Sequence, residues 1–268
     1  MSTSKTPTPD PVARQSVSAI DPWNNPPSSS EIPNILFILK ENRREKIVSA
    51  DLEKIGQGGT AIVFLVKSGA YAGHVVKIYN DALLGKRREE LKNKVKMMLS
   101  SPPESAEIKL DTTSIPQFNW PVALAEDDKG SFCGLVLPYI NFKDAYDLTS
   151  YLLNVGTLDE KHQSITERMQ VARNLAAAVA TLHKAGHYFV DMKPQNIFVL
   201  KGTSTVTFID CDGFSINRGE FPARHISPGY IAPEELDSRP VQLSESPEQD
   251  NYVLAVLIFQ LLDYDLLV

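Results

Sequence analysis

Apolar positions between residues 35 and 79 come as short β-branched and aromatic runs. ILFIL (35–39) reads as a strand, ENRR as a turn, and EKIV (45–48) as the hairpin partner. In the next stretch, 51–79, Leu52 and Ile55 lead to glycines at 56, 58 and 59, then to AIVFLV (61–66), a turn over Ser68–Gly73, and HVVKIY (74–79). The order is strand, glycine loop, strand, turn, strand. The period then changes. In ALLGKRREELKNKVKMMLS (82–100), Leu84, Leu91, Val95 and Met98 recur at helical spacing, and Pro102–Pro103 ends the helix. After a loop-rich 102–118, a hairpin is expected around Lys129–Gly130, running into SFCGLVLPYI (131–140). A helical region starts at Tyr146. A long amphipathic helix is predicted over Leu158–Ala185, with Met169, Ala172, Leu175, Val179 and Leu182 facing the core and Gly186 as its stop. IFVL and TVTFI then flank a turn at Lys201–Gly202, and VLAVLIFQLL (253–262) reads as a buried helix.

Residues 1–34 follow neither period. They hold seven prolines and ten Ser/Thr. Such a segment cannot bury enough surface to offset its ordering entropy, so it is expected to be a disordered tail.

Composition narrows the class. The 268 residues are 43% hydrophobic and 22% charged, ordinary globular material, with a net charge of −6. That balance argues against binding nucleic acid through phosphate contacts. Two cysteines, Cys133 and Cys211, indicate neither a disulfide framework nor a metal cluster, and fit a reducing cytoplasm. The N-terminus has no apolar signal core, and the apolar run 253–262 is too short to span a membrane.

Chemistry concentrates in HYFVDMKPQNIFVLKGTSTVTFIDCDGF (187–214). Asp191, Lys193 and Asn196 precede a short hairpin and Asp210 follows it. Phosphoryl transfer needs such a set: one carboxylate to orient the attacking hydroxyl, a second with an amide oxygen to hold Mg²⁺, and a lysine to offset charge in flight. Asp212 and Gly213 fit a tight turn. Upstream, GQGG enters a strand rather than a helix, and no Gly-Lys-Ser/Thr follows, which argues against a dinucleotide fold or a Walker loop. Glycines between antiparallel strands let backbone N–H groups approach phosphates, and alternation can aim Lys77 at the same space. A glutamate on helix 82–100 would hold Lys77, with Glu90 the first candidate and Glu89 the second.

These segments resemble the eukaryotic-type serine/threonine protein kinase superfamily. LHKAGHYFVDMKPQN is similar to its catalytic loop, which implies Asp191 as catalytic base, Lys193 as the phosphate-contacting lysine and Asn196 as a metal ligand. FIDCDGF resembles the strand that ends in the DFG motif, with Asp210 as the second metal ligand. IGQGGTAIV resembles the glycine-rich loop, so Ile55, Gly56, Gly58, Gly59 and Val63 are implied in ATP binding, with Lys77 on the α/β-phosphates and Glu90 as its partner. Leu137–Ile140 resembles the connection between lobes, with Leu137 and Ile140 at the adenine. SPGYIAPEE resembles the end of the activation segment, with Ser227 near Asp191. QDNYVLAV resembles the start of the next buried helix, with Asp250 as anchor.

The resemblance implies an α+β, two-lobed fold. A small antiparallel β-rich N-lobe (35–139) precedes a mainly helical, incomplete C-lobe (140–268); a kinase continues with more helices after Leu262, so the lobe is expected to be either truncated or minimal. Exposed apolar surface on the last helix is expected to follow. The implied activity is transfer of the ATP γ-phosphate to a protein serine or threonine with Mg²⁺. The wording LPYI, IDCDGF and QDNYVLAVLIFQLL is similar to a bacterial subgroup linked to helix-hairpin-helix regions, and implies a PP2C-type phosphatase and a VWA-domain protein as partners.

Several positions depart from the family pattern. Phe189 and Val190 stand where His and Arg are usual. Without that arginine there is no basic pocket for a phosphorylated activation segment. Ala61 replaces the third glycine, and Cys211 and Asp212 replace the Phe and Gly of DFG, so the usual phenylalanine packing is not expected. Two rivals stay open: a nucleotide-binding pseudokinase that acts as a scaffold, and a small-molecule kinase of the same fold.

Overall fold

The computed structural model describes residues 35–40, 43–104, 107–109, 114–153 and 164–263. The expected tail, 1–34, lies outside them.

Two β-rich faces build the first half. Strands β1 (Ile35–Lys40), β2 (Arg43–Val48), β3 (Leu52–Gln57), β4 (Ala61–Val66) and β5 (His74–Tyr79) come first in the chain. Helices α1 (Asp81–Leu84) and α2 (Arg88–Ser100) follow, then the short β6 (Glu107–Lys109) and β7 (Ser114–Pro116), and then β8 (Ala123–Glu126) and β9 (Phe132–Pro138). Seven strands form one antiparallel sheet in the order β2-β1-β8-β9-β5-β4-β3. Strand alternation divides its side chains. Phe64, Val66, Val76, Ala123 and Ala125 bury one face, whereas Ala61, Val63, Val75, Tyr79 and Leu135 bury the other against Leu91 and Val95 of α2. Lys77, between Val75 and Tyr79, therefore points to the helix side.

The expected single helix over 82–100 is broken. Gly85 adopts φ 12°, ψ −112° after α1, and a 3-10 turn over Gly85–Arg87 re-aims the chain before α2. Asn80 starts this corner twice over. Its Oδ1 accepts from Leu83 N at 2.9 Å as a helix cap, and its Nδ2 donates to Gly59 O at 2.7 Å, tying the corner to the glycine loop.

The second half is helical around a small sheet. Strand β10 (Ala145–Asp147) precedes α3 (Leu148–Leu153) and α4 (Ile165–Lys184); β11 (Ile197–Leu200) and β12 (Val206–Phe208) follow, and α5 (Glu248–Leu262) ends the described chain. Tyr146, expected to start a helix, sits instead in β10, which pairs with β11. Ser164 Oγ caps α4 from Glu167 N, a Ser-x-x-Glu start, and Gly186 at φ 76° stops it. Residues 158–163 of the predicted helix lie outside the described set. Val171, Leu175, Ala178, Val179 and Leu182 bury the helix against Val253, Leu257 and Leu261 of α5. Met169, expected in the core, is 57% exposed, because the buried stripe runs through Val171 and Ala178 instead. Helix α5 leaves Phe259 and Leu262 exposed, 55% and 40%.

Candidate active site

The site is built at the mouth of the β11–β12 hairpin. Its loop is anchored by Asp250 on α5, which is 1% exposed. Asp250 Oδ2 accepts from Phe189 N and Oδ1 from Val190 N, each at 2.7 Å, and His183 Nε2 lies 2.9 Å from Oδ2. This clamp stabilises an otherwise costly backbone: Val190 is β-branched yet has φ 62°. Phe189 fills the space beneath, with ring centroids 4.9 Å from Phe208 and 4.5 Å from Phe214. Cys211 supplies no aromatic to this packing, as expected, and Phe214 three residues on does. Cys211 is buried beside it, and burial pushes its thiol pKa well up.

The clamp presents the polar residues. Lys193 Nζ lies 3.2 Å from Asp191 Oδ2, and Asp191 Oδ1 accepts from the backbone N–H of Ser227 at 2.7 Å. Ser227 thus meets Asp191 as expected, but through its main chain. The end of that segment is docked by Gln249, whose Oε1 accepts from Ala232 N and whose Nε2 donates to Tyr230 O. Glu234 is exposed.

A cavity of about 340 Å³ opens between the sheet and this loop. Gly58, Val63, Lys77, Leu137, Asn196 and Asp210 line it, with Gln57, Thr60, Ala61, Asn119 and Ile209. A Cβ added at Gly58 or Gly59 would meet nothing within 4 Å, so the protein's own packing does not require glycine there; a ligand approaching the backbone would. Ile55, Gly56, Gly59 and Ile140 are not among the described residues that line the cavity. Gly56 is paired with Val63 at a register shift in β3, Ile55 packs into the sheet cluster, and Ile140 is buried with Phe142 and Phe198. Sequence reading passed over Asn119. It is 1% exposed, and neither end of its carboxamide has a hydrogen-bond partner among the described residues. A polar residue between Phe118 and Trp120 was the available signal.

The expected pairing of Glu90 with Lys77 is not the one formed. Glu90 sits beside Arg87 at 3.2 Å and Arg224 at 2.9 Å, which hold its carboxyl below the usual range. Lys77 Nζ instead lies 2.6 Å from Asp210 Oδ1 and 2.8 and 2.9 Å from the two oxygens of Asp212. Burial alone would lower the Lys77 pKa, but the two carboxylates outweigh it and hold the ammonium charged. Lys77 in turn depresses Asp210. Asp210 has φ 59°, and of the two aspartates it is the one that opens onto the larger cavity. Asp212 lines a neighbouring cavity of about 100 Å³, with Tyr79, Arg87, Lys94 and Arg224.

Among the described residues no three His, Cys, Asp or Glu cluster as a metal centre, and no helix is long and apolar enough to cross a membrane.

Comparison with known proteins agrees with this geometry. Residues 49–267 match the protein kinase domain family. Over 213 residues the chain is 26% identical to Protein kinase YegI of Escherichia coli, covering 78% of this chain and 30% of that protein. Over 235 residues it is 25% identical to Serine/threonine-protein kinase ArnS of Sulfolobus acidocaldarius, covering 79% of this chain and 36% of that one. The chain thus spans about a third of the length of these curated relatives. A rhoptry kinase from Toxoplasma gondii superposes with a TM-score of 0.51 at 16% identity, over 87% of this chain and 67% of that one, which bears on the fold. The β1–β2 hairpin precedes the matched segment, yet it joins the same sheet through β8. With a curled antiparallel sheet followed by a helical lobe, and a family match over most of its length, this chain belongs to the protein kinase domain family.

Proposed function

We propose that the chain is a protein serine/threonine kinase that transfers the γ-phosphate of ATP to a protein hydroxyl with Mg²⁺. The observation that carries the reading is the joining of Asp191 to both Lys193 and the Ser227 segment, beside a cavity lined by Lys77, Asn196 and Asp210. An acceptor hydroxyl presented along 227–234 would meet Asp191 Oδ, which takes its proton as the oxygen attacks. Lys193 offsets charge on the group in flight, and Lys77 grips the phosphates already bound. The donor set fits Mg²⁺: an amide oxygen from Asn196 and a half-exposed Asp210 carboxylate are hard oxygen ligands, and Mg²⁺ is commonly held by one or two such groups with phosphates. When bound, the ion neutralises charge on the phosphate oxygens.

We take residues 35–268 as the kinase domain, with the N-lobe ending near 139. The name of the archaeal relative supports serine/threonine as acceptors. Val190 offers no cation beside Asp191, so control by phosphorylation of the segment at this point is not part of the proposal. A cytoplasmic location fits the two buried free thiols. A PP2C-type phosphatase and a VWA-domain protein are proposed partners on family resemblance alone, and co-purification from the native cell tests them.

The rival scaffold reading is favoured by one feature: both carboxylates near the cavity are already engaged with Lys77. Radiolabelled phosphate from γ-labelled ATP decides. Wild type is expected to label a protein acceptor with acid-stable phosphate, and Asp191→Ala to reduce labelling by at least about a thousandfold, since the base and the orientation of the hydroxyl go together. Equal labelling by both proteins overturns the mechanism. Binding of Mg·ATP without any transfer establishes the scaffold.

A further inference from the structure

The Lys77 ammonium is held from a direction that α2 does not supply. Positions 90 and 94 lie one turn apart on the same side of α2. Glu90, at the outer position, is committed to Arg87 and Arg224. The inner position, packed toward Tyr79 and Asp212, is Lys94, which is 6% exposed and has no ion-pair partner within 4 Å among the described residues. A helix that presents an ammonium inward cannot hold a second ammonium. The carboxylate facing Lys77 comes instead from the 210–213 turn.

We propose that Asp212 is the positioning residue for Lys77 in this chain, taking the part that a glutamate on α2 was expected to play; this rests on the kinase reading above. The two aspartates that touch Lys77 are not equivalent. The Asp212 side chain is 9% exposed, meets Nζ through both oxygens, and accepts a third hydrogen bond from Tyr79 Oη at 2.8 Å. The Asp210 side chain is 52% exposed and meets Nζ through one oxygen. Asp210 is therefore free to exchange Lys77 for a ligand entering the larger cavity, while Asp212 keeps its hold. Lys94 and Tyr79 border the same small cavity as Asp212.

One short turn thus places both the cavity-facing aspartate and the anchor of the nucleotide lysine. Movement of α2 away from the sheet would leave the Lys77 contact intact, whereas rearrangement of 210–214 would break it. Control of Lys77 lies with that turn.

The test reads Lys77 directly. Competitive acetylation of the full chain with trace acetic anhydride at pH 9, followed by mass spectrometry, reports the free-amine fraction of each lysine. Lys77 is expected to label slowest in wild type. The isosteric Asp212→Asn should raise its labelling at least about tenfold, the effect of about 1.4 kcal/mol lost from the charged form. Asp212→Glu should restore slow labelling, and Glu90→Gln should leave it within about twofold of wild type. In the phosphate-transfer assay Asp212→Asn should lower kcat/KM by about tenfold or more, and Glu90→Gln should not. If Asp212→Asn does not fold, Asp212→Ser removes the same carboxylate with a smaller polar side chain and should raise Lys77 labelling by a similar factor. Unchanged labelling in folded Asp212→Asn or Asp212→Ser overturns the assignment, as does a rise in Glu90→Gln that matches Asp212→Asn. A wild type that transfers no phosphate would remove the kinase reading, while the labelling would still decide the anchor.

Discussion

Lys94 should cost this protein stability at neutral pH, and Lys94→Met should recover it. The side chain is 6% exposed and borders a cavity where each carboxylate already has a closer cation. Burial pushes its pKa down from an ordinary 10.5 to about 8, against an opposing pull from Asp212. A lowered lysine pKa means that the folded state binds the proton less tightly than the unfolded chain. Below pH 8 both states are protonated, and the folded state bears the full penalty. As pH rises from 8 to 10.5 the folded state loses the proton first, and the penalty fades. At about 1.36 kcal/mol per pH unit, the fall from 10.5 to 8 amounts to about 3 kcal/mol. Methionine keeps most of the aliphatic stem and removes the charge. Urea denaturation of both proteins from pH 6 to 10.5 is the assay. The difference in unfolding free energy should be about 3 kcal/mol in favour of Lys94→Met up to pH 7.5 and close to zero by pH 10.5. A variant that is no more stable than wild type at pH 7, or a gain that persists undiminished at pH 10.5, would refute the reasoning.

Two further substitutions test how the site is held. Asp250→Ala strips acceptors from the Phe189 and Val190 N–H groups in a fully buried place, which should destabilise the protein by about 2–6 kcal/mol and release Val190 from positive φ; chemical denaturation and loss of phosphate transfer report it, and a loss below about 1 kcal/mol would mean the clamp is slack. Gly134→Ala would set a Cβ 2.0 Å from the Lys77 carbonyl oxygen, so β9 must part from β5 next to the lysine; a loss of about 1–3 kcal/mol in a denaturation curve, with weaker ATP binding, is expected, and wild-type stability would show that the strands can slide.

The elements that could be read from the chain are those whose period is local. AIVFLV and HVVKIY are strands because β-branched runs fit a sheet buried on both faces, and the 3.6-residue spacing of Leu91, Val95 and Met98 places α2. The break at Gly85 leaves no trace in the pattern, because Leu84 stays in phase with the helix that follows and the spacing shows no gap. Tyr146 reads as helical because a three-residue strand beside a helix has no period of its own; its pairing with Val199 across the β10–β11 ladder makes it a strand.

The electrostatic partners were harder to read, for a definite reason. Glu89 and Glu90 have the charge to pair with Lys77 and lie on the right helix, but neither sits on its apolar face. Direction on the helix was the better guide. Lys94 interrupts the buried face formed by Leu91, Val95 and Met98, so a cation on α2, not an anion, had to face the sheet. Once that is granted, Lys77 needs a carboxylate from elsewhere. Among the described residues, the carboxylates that meet Lys77 are those of Asp210 and Asp212, more than 130 positions away in sequence. Asp212 looked sufficient as a turn residue, and the backbone over Cys211–Gly213 is indeed a 3-10 turn. The turn explains why an aspartate is tolerated there. The buried Lys77, Tyr79 and Lys94 around its carboxylate explain why asparagine, which suits the same turn, would not serve.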